Sequence, residues 1–252
     1  MKKLLIMIIA SLTSVLTMYG QDKKWRFAVV GDTYAPQAYT IKKIIPSLID
    51  NKVEVVLFVG DLIQGGKGQN VQGMYEELSQ WNEFTQPLRD AGVKIIVIWD
   101  NHEEDVKGDN LKSWKEMISL GLNLVSTYKN VTFIGMDNYL DGEHTVDTGW
   151  LKKVLKEVKK DNIIVPFGYE PAFTCNTFDA NENSRNKFWS LLEEYGIDYY
   201  FCGYTHLYNY CTVTHDEKNI HQIVSGGSGG FLQFGRGGIQ NADGYKVESV
   251  KE

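Results

Sequence analysis

The sequence predicts an α/β fold with helices packed outside a sheet core. Three observations carry that reading. Short apolar runs of strand length alternate with stretches whose apolar residues recur at helical spacing. The buried runs stop at glycine turns or polar clusters. At 252 residues and 43% hydrophobic, the chain suits one large domain with a sizeable core, which excludes a disordered segment.

The elements follow in order. MKKLLIMIIASLTSVLTMYG combines two lysines, an apolar run from Leu4 to about Met18, and Gly20 ahead of a polar QDKK. That pattern predicts a secretory signal peptide over 1–20 and a single domain over 21–252. The protein is then secreted or periplasmic, with no stable membrane span after cleavage. An uncleaved anchor is the competing reading. No cysteine follows the run, which argues against a lipid anchor.

RFAVV (26–30) reads as a buried strand ending in Gly31-Asp32, and Ile41, Ile44, Ile45, Leu48 and Ile49 stripe the helix after it. VEVVLFV (53–59) is a second strand, ending in Gly60-Asp61. An aromatic-rich polar helix runs from about Val71 to Ala91, with Gly92 as its stop. KIIVI (94–98) is a third strand, ending in Asp100-Asn101-His102. VTFIGM (131–136) is strand-like, and Leu151, Val154, Leu155 and Val158 stripe a helix. NIIVPF (162–167) ends in Gly168-Tyr169-Glu170-Pro171. Phe188, Leu191, Leu192 and Tyr195 stripe the next helix, and DYYFC (198–202) leads to Gly203-Tyr204-Thr205-His206. The Gly-rich tail from about Tyr208 adds a strand and loop in HQIVSGGSGG (221–230).

The net charge of −6 and the scattered basic residues disfavour nucleic acid as a partner. Of Cys175, Cys202 and Cys211, an exported chain can pair two, and Cys202 with Cys211 would bridge a hairpin-like turn. Three buried, small apolar residues are the equal alternative. His144, His215 and His221 read as surface or strand residues, and Trp81, Tyr139, Tyr208 and Tyr210 as core. GGSGGFLQFGRGG (226–238) lacks the strand-to-helix context of a nucleotide cradle and reads as a loop.

The chemistry-bearing residues sit at strand ends: Asp32, Asp61, Asn101 with His102, and His206. In open α/β sheets, sites gather at the carboxyl ends of strands, so these residues can converge. The ordered segments GDTY (31–34), GDLIQG (60–65), DNHE (100–103), FGYEPAF (167–173) and GYTH (203–206) resemble the calcineurin-like metallophosphoesterase family, which includes the purple acid phosphatases. That family reads G-D-x-H, G-D-x-x-x-x-G, G-N-H-D/E, an isolated His, and G-H-x-H. The resemblance spans about Trp25 to Val250.

It implies a four-layer α/β sandwich, two mixed β-sheets flanked by helices. It implies hydrolysis of phosphoesters at a two-metal centre of Mn, Fe or Zn, acting on a small phosphorylated substrate. By the same resemblance Asp61 bridges the metals, Asp32 and His206 hold the first, Asn101 holds the second, and His102 acts beside the phosphoryl group as acid or charge partner. Three histidine positions of the family are Tyr34, Tyr169 and Tyr204 here, and Asp100 replaces a glycine. A neutral imidazole offers a lone pair at pH 7, whereas a phenol must first lose a proton of pKa about 10. The expected outcome is weakened or lost hydrolysis. The alternatives are a non-catalytic binding module in the same cleft, or a phosphatase with one metal or an unusual ferric site.

Overall fold

The computed structural model describes residues 24–139, 144–173, 182–232 and 244–250, with 182–186 described by backbone alone. The expected signal peptide and Cys175 lie outside the described residues. Ten strands and six helices follow one another among the described residues.

The N-terminal half is β1 (Arg26–Val30), α1 (Tyr39–Asp50), β2 (Val53–Phe58), α2 (Val71–Asp90), β3 (Lys94–Val97), α3 (Asn101–Glu104) and α4 (Asn110–Met117). Its three strands form one sheet in the order β1-β2-β3, all parallel. Parallel strands joined through helices are covered on both faces, which is why VEVVLF is an unbroken apolar run. Side chains alternate across it. Val55 and Leu57 face the other sheet, while Val56 and Phe58 face the helices.

The second half is β4 (Leu124–Tyr128), β5 (Val131–Gly135), α5 (Thr148–Glu157), β6 (Ile163–Phe167), α6 (Glu182–Glu194), β7 (Tyr199–Cys202), β8 (Tyr208–His215), β9 (Lys218–Ser225) and β10 (Lys246–Ser249). These strands make a mixed seven-stranded sheet in the order β10-β8-β9-β7-β6-β5-β4. Its centre, β5-β6-β7-β9, is parallel. Asp147 caps α5 by accepting from the Trp150 backbone N–H, and Asn70 caps α2 by accepting from Gly73.

Three cores give four layers. Ile41, Leu78, Trp81 and Trp114 pack helices onto one sheet. Leu151, Phe188, Trp189 and Leu192 pack helices onto the other. Val55, Leu57, Ile96, Phe133, Val165 and Phe167 fill the space between the sheets. This is the helix–sheet–sheet–helix architecture the resemblance implies. The sheets close tightly at one end, where the Ser225 hydroxyl donates to the Val29 carbonyl at 2.9 Å. A Cβ at Gly31 would stand 2.5 Å from the Ser225 carbonyl oxygen and 3.3 Å from the Gly203 Cα, so no side chain fits there.

β4 and β10, and the short α3 and α4, had no clear sequence signal, whereas β8 lies in the stretch that alternates from about Tyr208. Tyr208 is not core but 61% exposed. Cys202 and Cys211 are two separate buried thiols, which is the second of the two cysteine readings rather than the bridge. They lie on β7 and β8 with β9 between them, and two strand spacings of about 4.8 Å exceed the roughly 7 Å that a disulfide spans between Cα atoms. His144 is exposed, as the surface reading held, and its Nδ1 also lies 2.5 Å from the buried Glu170 carboxylate.

Candidate metal centre

The carboxyl ends of β1, β2, β3, β6 and β7 meet at the same edge of the two sheets. Asp32, directly after Gly31, donates its backbone N–H to the Gly60 carbonyl at 3.0 Å, and Tyr34 donates to Asp61 at 2.9 Å. The β1 and β2 turns are thereby laced together. Asp32, Tyr34, Asp61 and Tyr204 all adopt left-handed backbone, with φ of 59°, 50°, 47° and 70°. Non-glycine residues in that region cost on the order of 1 kcal/mol or more each, and such strain concentrates at functional sites.

Asp32 and Asp61 are fully buried. One ligand atom each from Asp32, Asp61 and His206 falls within 4.8 Å of the others. The four carboxylate oxygens have only the Tyr204 backbone N–H and the Tyr169 hydroxyl near Asp32 and the Tyr34 hydroxyl near Asp61, none in good hydrogen-bond geometry, and Asn101 Oδ1 has no partner. Burial pushes the Asp32 carboxyl well above the usual range, and the neighbouring Asp61 adds to it. Asp100 and Glu103, also fully buried, are raised for the same leading reason, and their mutual repulsion raises Asp100 further. Buried acids with orphaned oxygens carry a large desolvation cost unless a cation compensates them.

The imidazoles are oriented to match. His206 Nδ1 lies 3.0 Å from the Phe231 carbonyl, and His102 Nδ1 lies 2.5 Å from the Gln64 carbonyl. A carbonyl only accepts, so each Nδ1 carries the proton and each Nε2 offers its lone pair inward. That is the tautomer by which a second partner prepares a ligating histidine. His206 Nε2 stands 3.6 Å from Asp32 Oδ1, and His102 Nε2 stands 3.9 Å from Asp61 Oδ1. The residues therefore fit one hard or borderline cation.

The three tyrosines surround this centre. The Tyr34 hydroxyl sits 3.0 Å from His206 Nε2 and 3.4 Å from His102 Nε2. Burial and the nearby Asp61 hold its phenol far above its ordinary value. Tyr169 is buried, and its ring lies so close over Gly60 that an added Cβ would stand 2.2 Å from it. Tyr204 meets that ring edge-on, with centroids 5.3 Å apart.

A region matching the family model described as calcineurin-like phosphoesterase covers residues 26–208. The chain belongs to the calcineurin-like phosphoesterase family. Among curated relatives, "Purple acid phosphatase 23" from Arabidopsis thaliana is 26% identical over 219 residues. That match covers 73% of this chain but 47% of the relative, so the chain spans about half the length of the curated protein it matches. A dimetal phosphatase from Danio rerio superposes with a TM-score of 0.58 at 13% identity, covering 81% of this chain and 88% of its own. GAP50, "the anchor in the inner membrane complex of Plasmodium", gives the same score and identity, covering 90% and 84%. At such identity the two structures show the fold alone.

Sequence reasoning brought Asp32, Asp61, His102 and His206 to one place and put Asn101 beside them. It missed two supports of the site. Asp100 accepts from the Asp61 backbone N–H and, at 2.9 Å, from that of His102, bracing both turns. The loop after β9 donates from Gly230 to the Asp32 carbonyl at 3.2 Å, and its next residue holds His206. Its position after a central strand was the available signal.

Proposed function

We propose that this calcineurin-like phosphoesterase binds one metal ion at Asp32, Asp61 and His206, and that its phosphoester hydrolysis is weakened or lost. The observation that carries the first half is the pair of fully buried carboxylates whose oxygens lie within 4.8 Å of an imidazole nitrogen, on a ring whose Nδ1 is already committed to a carbonyl. Mn, Fe or Zn suits this donor set. Asn101 Oδ1, buried and orphaned, is the remaining candidate donor.

The second half rests on the tyrosines. By family resemblance, Tyr34, Tyr169 and Tyr204 stand where histidines hold metals. In support, Tyr169 fills its place with a buried ring, and burial beside Asp61, Asp32 and Asp100 keeps its phenol protonated. A protonated phenol is a poor ligand, so these residues do not fit a second ion.

When bound, the single ion supplies Lewis acidity toward a phosphoryl oxygen. The chain's own residues do the rest. Asp32 and Asp61 balance the ion's charge. His102 presents Nε2 beside Asp61, placed to hand a proton to a leaving oxygen or to bind a phosphoryl oxygen once protonated. The Tyr34 hydroxyl, within reach of both imidazole Nε2 atoms, orients them.

Calorimetric titration with Mn²⁺ and Zn²⁺ should give about one ion per chain, lost in Asp61→Asn, with slow turnover of generic phosphoesters. Two tight ions, or binding indifferent to Asp61→Asn, would overturn the proposal. A second reading, a non-catalytic binding module using the same cleft, is favoured by the Tyr34 hydroxyl standing 3.0 Å from the nitrogen a metal would need. Purified protein that takes up no metal would select it.

A further inference from the structure

Tyr34 stands between the two imidazoles of the centre. Its ring meets that of His102 at 76° and that of His206 at 79°, each edge-on with centroids 5.1 Å apart. Its hydroxyl lies 3.0 Å from His206 Nε2 and 3.4 Å from His102 Nε2. The main chain beneath it is held on both sides. Tyr34 donates its N–H to the Asp61 carbonyl at 2.9 Å, and its own carbonyl accepts from Gln37 at 3.0 Å and from Ala38 at 3.3 Å. A half-buried side chain on a backbone so held moves by its own torsions, and its hydroxyl can trade one imidazole for the other while the turn stays in place.

Donors and acceptors do not balance here. Both Nδ1 atoms donate to carbonyls, of Phe231 and of Gln64, so both Nε2 atoms are acceptors. One phenol proton faces two imidazole lone pairs, and the shorter distance assigns it to His206. That lone pair is the one His206 would offer a cation beside Asp32 and Asp61. It cannot accept a proton and bind an ion at once. Asp61, also near the hydroxyl, would be committed to the same ion. His102 Nε2 is then the acceptor left within reach, and a hydroxyl deprived of its partner in a part-buried site costs free energy until it finds another. We propose that Tyr34 is a positioning residue that couples the metal to His102: its hydroxyl holds His206 in the metal-free protein and passes to His102 when His206 takes the ion. The proposal rests on the one-metal reading above. A hydroxyl accepts as well as donates, so Tyr34 stays a partner of His102 whether or not Nε2 is protonated. The imidazole assigned to the phosphoryl group is thus steadied only once the ion is in place.

The test is a double-mutant cycle on Zn²⁺ affinity, read by calorimetry in the parent, His102→Leu, Tyr34→Phe and the double variant. Leucine removes the acceptor that takes over the hydroxyl, so His102→Leu should weaken Zn²⁺ binding about tenfold, the worth of one hydrogen bond. Phe at position 34 has no hydroxyl to rehouse, and in that background the same change should weaken binding by less than about twofold. Thermal unfolding without metal shows that each form folds, and His102→Ala takes the place of His102→Leu if the leucine variant does not. Equal losses from His102→Leu in both backgrounds would overturn the coupling and leave the one-metal reading standing. A loss of more than about tenfold on Tyr34→Phe alone would also overturn it, because the phenol oxygen would then be holding the ion itself. No Zn²⁺ uptake by the parent would remove the metal reading and the coupling with it.

Discussion

Each imidazole of the centre gives one nitrogen to a backbone carbonyl and keeps the other for the site. His206→Gln should therefore lose metal, because an amide in its place carries no comparable fixed lone pair, and calorimetry checks this. Acidity acts on the same residues. Asp32, Asp100 and Glu103 are all raised above the usual carboxyl range by burial. In the metal-free protein they hold protons that the unfolded chain has released, so its stability falls as pH rises above about 4. Binding a cation at Asp32 displaces whatever proton burial retains there, so affinity for Mn²⁺ should fall on acidification, and titrations at pH 7, 6 and 5 read the direction. An affinity that rises on acidification would contradict it. The combined change Tyr34→His, Tyr169→His and Tyr204→His should restore a second metal and raise hydrolysis by orders of magnitude, with Tyr204→His alone recovering little. A folded triple variant that holds two ions and stays inactive would show that more than ligands was lost. Asp32, Asp61 and His206 were legible because each closes an apolar run with a residue of ligand type. Asp100 and Glu170 were not. Their meaning lies in burial and in partners 39 and 26 residues away, as in the Asp100–Asp61 and Glu170–His144 contacts, which no local pattern announces.

At the scale of elements, the buried strands declared themselves and the half-exposed ones did not. β2 is an apolar run covered on both faces, whereas β4 is an edge strand whose residues alternate between covered and exposed. α4 buries only Ser113 and Trp114, too little for a visible stripe. The turns between elements are less tolerant than their length suggests. Gly31→Ala would drive a methyl against the Ser225 carbonyl and the Val59 side chain where the two sheets touch. The expected loss is about 1–3 kcal/mol in urea unfolding, together with weakened metal binding. Leu192→Ala, in the fully buried stripe of α6, should cost about 2–5 kcal/mol while leaving the metal stoichiometry intact. Equal metal loss in both variants would contradict the view that Gly31 shapes the site directly.

For the whole molecule, the four layers came from the resemblance, and the strand–helix alternation alone supported only an α/β domain. Among the described residues, no helix is long and apolar enough to cross a membrane. The N-terminal pattern of two lysines, an apolar run and Gly20 leads us to expect export with cleavage near Gly20-Gln21. N-terminal sequencing of the exported protein should begin at or close to Gln21, and an intact Met1 on a soluble cytoplasmic form would refute it.

The bond from Gly230 to Asp32, and the one from Phe231 to His206, also bear on when the site comes into being. Asp32 is among the first residues of the described fold and Gly230 is among the last. Contacts so distant along the chain form late, after their intervening loops have closed. A ribosome that has made most of this polypeptide has still not made the cavity. A precursor threaded unfolded through a translocon would complete its ligand set only on the far side. If the expected export holds, which ion it acquires would be decided in the compartment where the last segment docks.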